Sequence, residues 1–571
     1  MHFKKLVSLL ALLPISLAVT SCGDDPNPNN QRKFRDEKEC LTYRDVIRYG
    51  EKQGNPAPST GETRVLVVPI QFTDYHADDI GKYYNSEVSS SKPIKHYKEG
   101  SSTEPAGKGR GAENAREDIR KVYFGEASET AWHSLSSYYE SSSYGNLKFN
   151  GIVTPWFDAF TNIETYKPVS TKEFKDGGGS AKTLASRILE YYSDEEMGAY
   201  KKLKKQDGTS FTSGKDFLKY FDSDSDGYVD VVEMVYSAPY YATYTNESGQ
   251  EVSVDNEMFW AYCGGTTNDP NENSPKLSKW AFQSYYTCVE GGTFDENGKW
   301  RAWTCEEISD GVAKVDAHTI VHETGHALGL ADYYDYDYKQ KPMGKVDMMD
   351  NNVGDHSAYS KSVLGWTNPT VVTGPTTVTI NSFTKTGDCI MVPYRGYYSD
   401  NANNKNANTF NTEYLTIELY NNSGVNKADA ETAYAGRYPK CPSKTGIKIF
   451  HVDSRLGIYD YGNNSSGEFI QYTDSIVSVS SSQMVTWANS NTGSRTPKNS
   501  SGDYCWQIEY LTSKPNNVFS QINDENLFHE GDTFGYDTYA NYTFNSGNAF
   551  GYKFVIESMT DDSATITFYR A

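Results

Sequence analysis

Positive charge is in short supply in this chain: 54 Lys and Arg stand against 75 Asp and Glu, leaving a formal charge of −21 over 571 residues. A nucleic-acid binder needs a surface that neutralises phosphates, so DNA and RNA are excluded as expected partners. Long apolar runs are scarce too. The stretch Leu6 to Val19 contains Pro14 and falls short of the roughly 20 residues that carry a helix across a bilayer, which argues against a multi-span membrane protein. No C-x-x-C pair occurs among the eight cysteines (Cys22, Cys40, Cys263, Cys288, Cys305, Cys389, Cys441 and Cys505), so a zinc ribbon or thioredoxin-type site is not expected. No repeat of fixed period appears, against a solenoid or propeller. What is present, 37% hydrophobic residues with 45 Tyr and 46 Gly, suffices for a large core and is unlike a disordered or collagenous chain.

The start of the chain reads as an address. Lys4 and Lys5 precede the apolar stretch, and small polar residues lead to Cys22, so residues 1–21 have the layout of a secretion signal. Val19-Thr20-Ser21-Cys22 resembles a bacterial lipoprotein box, which implies cleavage before Cys22, lipid on that residue, and an exported protein anchored to membrane at the cell envelope or surface. The competing reading is an ordinary secretory signal with an incidental Cys. Residues 22–60, opening with a Pro- and Asn-rich segment, suit a flexible tether or a short prosegment in which Cys40 acts as a latch. Without Cys22 the cysteine count is odd, so at least one thiol stays unpaired even if the others form disulfides.

Beyond the tether an α+β organisation is expected, with a first domain over 61–370 and a β-rich C-terminal region over 371–571. Arg64 to Phe72 is a nearly continuous apolar run that fits a strand covered on both faces, with Pro69 demanding a bulge or an edge. Ser134 to Glu140 reads as helix and Asn146 to Val153 as strand. Tyr414 to Tyr420, Gly446 to Val452, Lys553 to Met559 and Ala564 to Arg570 read as strands among Asn-, Ser- and Gly-rich loops.

The most informative segment is His322-Glu323-x-x-His326. On a helix, positions i and i+4 lie one above the other, so both imidazoles can face one ion, while Glu323 reaches a water beside it. Gly329 permits the left-handed conformation that ends a helix, and the returning chain can bring Asp332 in as third ligand. A fourth position left open marks a catalytic zinc site rather than a structural one. His318, one turn earlier, reads as a satisfied core histidine. A second donor to a reaction oxyanion is sought among His356, Tyr333 and Tyr334, each of which can equally be a packing residue. Asp222 to Glu233 carries the calcium-loop pattern: Asp222, Asp224, Asp226, Asp230 and Glu233 supply carboxylates, Tyr228 its carbonyl, and Gly227 the turn. The strand-like residues after it favour a structural calcium over a signalling EF-hand. Asp335 is expected to orient the turn after Asp332, and Asp337 to be solvated.

His322-Glu-x-x-His-x-x-Gly-x-x-Asp332 followed by Val346-Asp-Met-Met-Asp350 resembles the metzincin clan of zinc peptidases, and more narrowly the immune inhibitor A family of secreted bacterial metallopeptidases. Arg64 to Asp74, Ser137-Tyr-Tyr with Tyr144-Gly145, Ala358-Tyr-Ser-Lys to Trp366, and Glu413 to Asp453 extend the resemblance over about residues 60–455. It implies a metzincin-like domain of mixed sheet plus active-site helix, zinc on His322, His326 and Asp332, Glu323 as catalytic base, and Met349 as the methionine beneath the site. Zn2+ and Ca2+ are the expected cofactors, and extracellular protein or peptide the expected substrate. Two other readings stay open: a β-rich surface adhesin or binding lipoprotein with a secondary metal site, and a zinc hydrolase of another bond.

Overall fold

The computed structural model describes residues 26–33, 55–82, 108–239 without 163, 256–401 without 267, 409–460 without 435 and 436, 498–515 and 521–571, with short pieces between 243 and 253 and between 468 and 488. The expected signal, Cys22 and Cys40 lie outside the described residues. Among those described, no helix is long and apolar enough to cross a membrane.

In chain order the strands that matter here are β1 (Gln31–Lys33), β2 (Gly61–Gln71), β3 (Leu147–Val153), β4 (Phe157–Asp158), β5 (Tyr228–Tyr236), β6 (Tyr262–Gly265) and β7 (Lys276–Ser284). The C-terminal region adds β8 (Thr370–Val372), β9 (Thr376–Asn381), β10 (Cys389–Pro393), β11 (Glu413–Tyr420), β12 (Gly446–Asp453), β13 (Ile508–Leu511), β14 (Thr533–Phe534), β15 (Tyr552–Met559) and β16 (Ser563–Arg570). The protein is α+β. Its first sheet has the order β3–β2–β5–β7–β6, parallel except for the outermost strand β6, which runs antiparallel to β7. Val65 to Val68 and Ile70 are all fully buried, as a strand covered on two faces requires.

Pro69 is accommodated without a bulge or an edge. On one side of β2 the ladder to β3 ends at Val67–Val153 and resumes with β4 only at Ile70–Phe157, so the missing N–H falls where the neighbour changes. Helices α1 (Ala112–Phe124), α2 (Leu135–Ser142) and α3 (His318–Ala327) adjoin this sheet. Ser134 caps α2 in a capping box with Ser137, and Tyr139 of α2 donates to the Val321 carbonyl of α3 at 2.7 Å.

The C-terminal strands form a sandwich. A six-stranded sheet, β1–β8–β10–β11–β12–β13, stacks on a four-stranded one, β9–β16–β15–β14. Strand alternation sorts the side chains: Leu415, Ile417 and Leu419 of β11 enter the core between these sheets, with Ile566 and Phe568 opposite, whereas Tyr414 and Tyr420 join the core of the first domain. The boundary expected at 370/371 falls within β8, and the C-terminal strands contribute to two cores, one between their own sheets and one shared with the first domain.

The segment 22–60, expected as a flexible tether or a short prosegment, is docked at both described ends. Residues 31–33 pair with β8, and Asn27 donates to the Pro375 carbonyl at 2.9 Å. Ala57 donates to the carbonyl of Ala327 at the end of α3, and Ser59 accepts from the Trp366 indole. These backbone groups find partners in the folded body, so neither stretch behaves as a free linker. The six described cysteines past residue 60 are all buried.

Truncation after residue 370 would expose the face of the first domain that Tyr414, Phe450 and Ile508 cover. Such a fragment is expected to aggregate or to lose cooperative thermal unfolding; a soluble fragment with a sharp transition would refute the shared core.

Candidate metal centre

Helix α3 carries His322, Glu323 and His326, and it ends as its sequence requires. Leu328 caps it, Gly329 takes φ 103°, and the Leu330 amide returns to the Gly325 carbonyl at 3.0 Å. The chain turns back and delivers Asp332. His322 Nε2 lies 3.0 Å and His326 Nε2 3.1 Å from Asp332 Oδ1, with the imidazole planes crossed at 89°.

Two carbonyls set the rings. His322 Nδ1 meets the Met348 carbonyl and His326 Nδ1 the Leu330 carbonyl, each at 2.8 Å. A carbonyl only accepts, so each Nδ1 carries the proton and the neutral ring presents a lone pair at Nε2. Two such lone pairs and a carboxylate then converge, three acceptors facing one point, which is favourable only with a cation or shared protons among them. A tetrahedral zinc with bonds of about 2.0–2.1 Å separates its ligands by about 3.3 Å, within a few tenths of the distances here. The donor set fits a divalent ion.

Charge reinforces the geometry. Burial alone would raise Asp332, but the facing His326 and His322 hold its carboxyl far below the usual range. Burial would lower His326, yet Asp332 more than offsets it and lifts the ring to about 9. Glu323, on the same turn, does not point to the three-acceptor cluster as a ligand. It lines the same cleft, takes the Cys263 amide, and is raised above the ordinary carboxylate range by burial, against the pull of both histidines.

Met349 lies under α3. Gly325 allows the contact: a Cβ there would sit 2.5 Å from the Met349 sulfur. The Met349 carbonyl accepts from the Tyr333 amide at 2.8 Å, tying the turn below the site to the strand-like return beyond Asp332.

Of the three candidate oxyanion donors, only Tyr334 lines the cleft. Tyr333 is buried with its hydroxyl on Ser360 at 2.8 Å, and His356 is buried among Tyr138, Tyr139 and Trp366, where desolvation holds it neutral. Tyr336, which the sequence did not single out, hydrogen-bonds to Asp332 Oδ2. Burial raises both Tyr334 and Tyr336 and keeps their hydroxyls protonated. His318 is the core histidine expected: Nδ1 is 3.0 Å from Asp316, Nε2 is 3.0 Å from Asp429, and its ring stacks between Trp132 and Tyr438. Asp335 accepts from the amides of Asp337, Lys339 and Gln340, and so orients the turn.

The calcium-loop residues divide. Asp222, Asp224 and Asp226 bring oxygen atoms within 4.8 Å of one another, with Gly227 at φ 88°. Tyr228 starts β5 and its hydroxyl donates to the Asn268 carbonyl. Asp230 turns to the Ser223 and Arg64 amides at 3.1 and 3.0 Å. Glu233 is corrected: because the chain extends after Tyr228 instead of coiling into a helix, its carboxyl is carried away from the loop. It lies fully buried beneath α3, 3.3 Å from the hydroxyls of Thr324 and Tyr123.

No protein-family model and no curated protein matches the chain. The resemblance to the immune inhibitor A family thus rests on the motifs quoted above.

Replacing Gly325 by Ala should force the Met349 sulfur aside. Overpacking of this kind costs about 1–3 kcal/mol, more than the gain of up to about 1 kcal/mol in helix propensity, so a lowered melting temperature is expected in thermal unfolding. Unchanged stability would show that the Met349 contact is loose.

Proposed function

We propose that the chain is an exported zinc endopeptidase of the metzincin type, anchored through lipid on Cys22 and acting on polypeptide outside the cell. The convergence of His322, His326 and Asp332 beside Glu323, in a cleft of about 270 Å³, carries this reading. These three side chains would hold the ion and leave a position open. Bound there, zinc supplies a Lewis acid that acidifies water and polarises a carbonyl. Glu323 takes a proton from the attacking water at its carboxylate and returns it to the leaving amine; burial, which raises its proton affinity, suits a group that must hold that proton between the two events. The protonated Tyr334 hydroxyl is the donor available to a carbonyl oxygen gaining charge.

Polypeptide is favoured as substrate by the walls of the cleft. Strand β6 is outermost in its sheet, the position at which an extended peptide adds by main-chain hydrogen bonds. Trp260, Tyr262, Tyr336 and Tyr338 are 51%, 51%, 43% and 70% exposed, and all four line the cleft or the cavity adjoining it. Large apolar side chains left in solvent at one mouth mark a surface that binds. The mixed sheet with α3 against it and Met349 beneath supports the metzincin type. A calcium ion on Asp222, Asp224 and Asp226 would pin the loop whose Asp226 also takes the Asn55 amide, joining it to the segment that leads into β2.

Glu323→Gln is expected to keep bound zinc, by metal analysis, while casein cleavage falls about 10²- to 10⁴-fold. Undiminished cleavage would overturn the mechanism. Removing calcium, with zinc retained, should lower the melting temperature; the same temperature with and without calcium would exclude a structural ion at Asp222, Asp224 and Asp226.

A further inference from the structure

A second cavity of about 190 Å³ opens beside Glu323. The catalytic helix forms one wall through Thr319, His322 and Glu323, the turn at Asn351 and Asn352 another, and Glu290 with Arg437 lies in the lining as well. Arg437 comes from the C-terminal region, yet its backbone is tied to the catalytic helix. Asp429 holds His318 Nε2 at 3.0 Å and the Gly354 amide at 2.7 Å, the Cys441 amide returns to the Asp429 carbonyl at 3.0 Å, and Tyr438 stacks on His318 with centroids 4.3 Å apart. The Arg437 amide donates to the Tyr434 carbonyl at 2.9 Å.

Arg437 pairs with Glu290, and the two differ in exposure: the arginine side chain is 33% exposed and the glutamate 2%. A ligand entering the cavity therefore meets the guanidinium, with the carboxylate behind it. Arginine offers five donors in a planar fork and no acceptor. Since Glu290 balances its charge, the cavity presents hydrogen-bond donors more than a net positive field. The other acids in the lining are Glu323 and Asp350, the latter buried and accepting the Lys345 amide.

We propose that Arg437 is a specificity-determining residue, selecting substrates whose side chain next to the scissile bond ends in a carboxyl or carboxamide oxygen, such as Glu or Gln. This rests on the peptidase reading above. An acceptor of that kind satisfies the guanidinium that the substrate dehydrates, whereas Leu or Met in its place leaves desolvated N–H groups without a partner, the situation that gives polar pockets their discrimination.

Docking is separated from cleavage by measuring peptide binding calorimetrically to the zinc-loaded Glu323→Gln protein, with a casein-derived peptide varied at the positions flanking its cut bond. Peptides with Glu or Gln are expected to bind about tenfold or more tightly than those with Leu, and Arg437→Met to collapse that ratio. Arg437→Lys, which keeps a charged donor and guards against a folding defect, should restore part of the preference for Glu. Glu290→Gln, which removes the balancing charge, should shift the preference from Gln towards Glu. Equal affinity for the Leu and Glu peptides, or a ratio that survives Arg437→Met, overturns the proposal. If the discrimination depends on Arg437 while the unaltered protein cleaves none of the peptides, the selective pocket stands and the peptidase reading falls.

Discussion

The orientation of two imidazoles by two backbone carbonyls is the constraint on which the cleft depends. Met348 and Leu330 each accept from an Nδ1, and this places the lone pairs of both rings at Nε2, facing the Asp332 carboxylate. Both carbonyls belong to turns. Leu330 follows the left-handed Gly329, and Met348 opens the short helical turn that carries Met349 under Gly325. The backbone that positions the rings is the same backbone that shapes the floor of the site.

A second constraint holds helix α3 from behind. His318, stacked between Trp132 and Tyr438, lies between the carboxylates of Asp316 and Asp429. Burial by itself would lower its pKa, but Asp429 and Asp316 prevail and raise it to about 9, so the ring is a cation bridging two acids. Through Asp429, the C-terminal region braces the helix; through Arg437, it lines the cavity beside Glu323. Leaving either acid without its cation inside this core would cost several kcal/mol.

How far the site was legible depends on sequence distance. His322, Glu323, His326 and Asp332 lie within a helix and its return, where spacing alone dictates which faces meet, and the helix, the glycine stop and the aspartate all appear where expected. Glu233 failed the same kind of reasoning: the calcium-loop pattern assumes a helix after its ninth position, and the β-branched run Val229 to Val235 extends instead, sending the carboxyl into the sheet's cover. Trp260, Tyr262 and Arg437 carry no signal in sequence, because they reach the cleft from an edge strand and from a distant segment. The strands of the C-terminal region were visible from their apolar alternation, but not the fact that β11 turns Leu415 to one core and Tyr414 to another.

The sequence by itself determined the local chemistry: a helix with two imidazoles and a carboxylate on its surface, a glycine where the chain must reverse, an aspartate positioned to return, and alternating strands towards the end. Only the tertiary structure decided which carbonyls orient the rings, that residues 26–33 and 55–60 are docked, and that a C-terminal arginine shares a cavity with Glu323. The physical reason is that helix and strand periodicity propagate over a few residues, whereas contacts between segments far apart in the chain follow from burying two faces of one sheet against different partners.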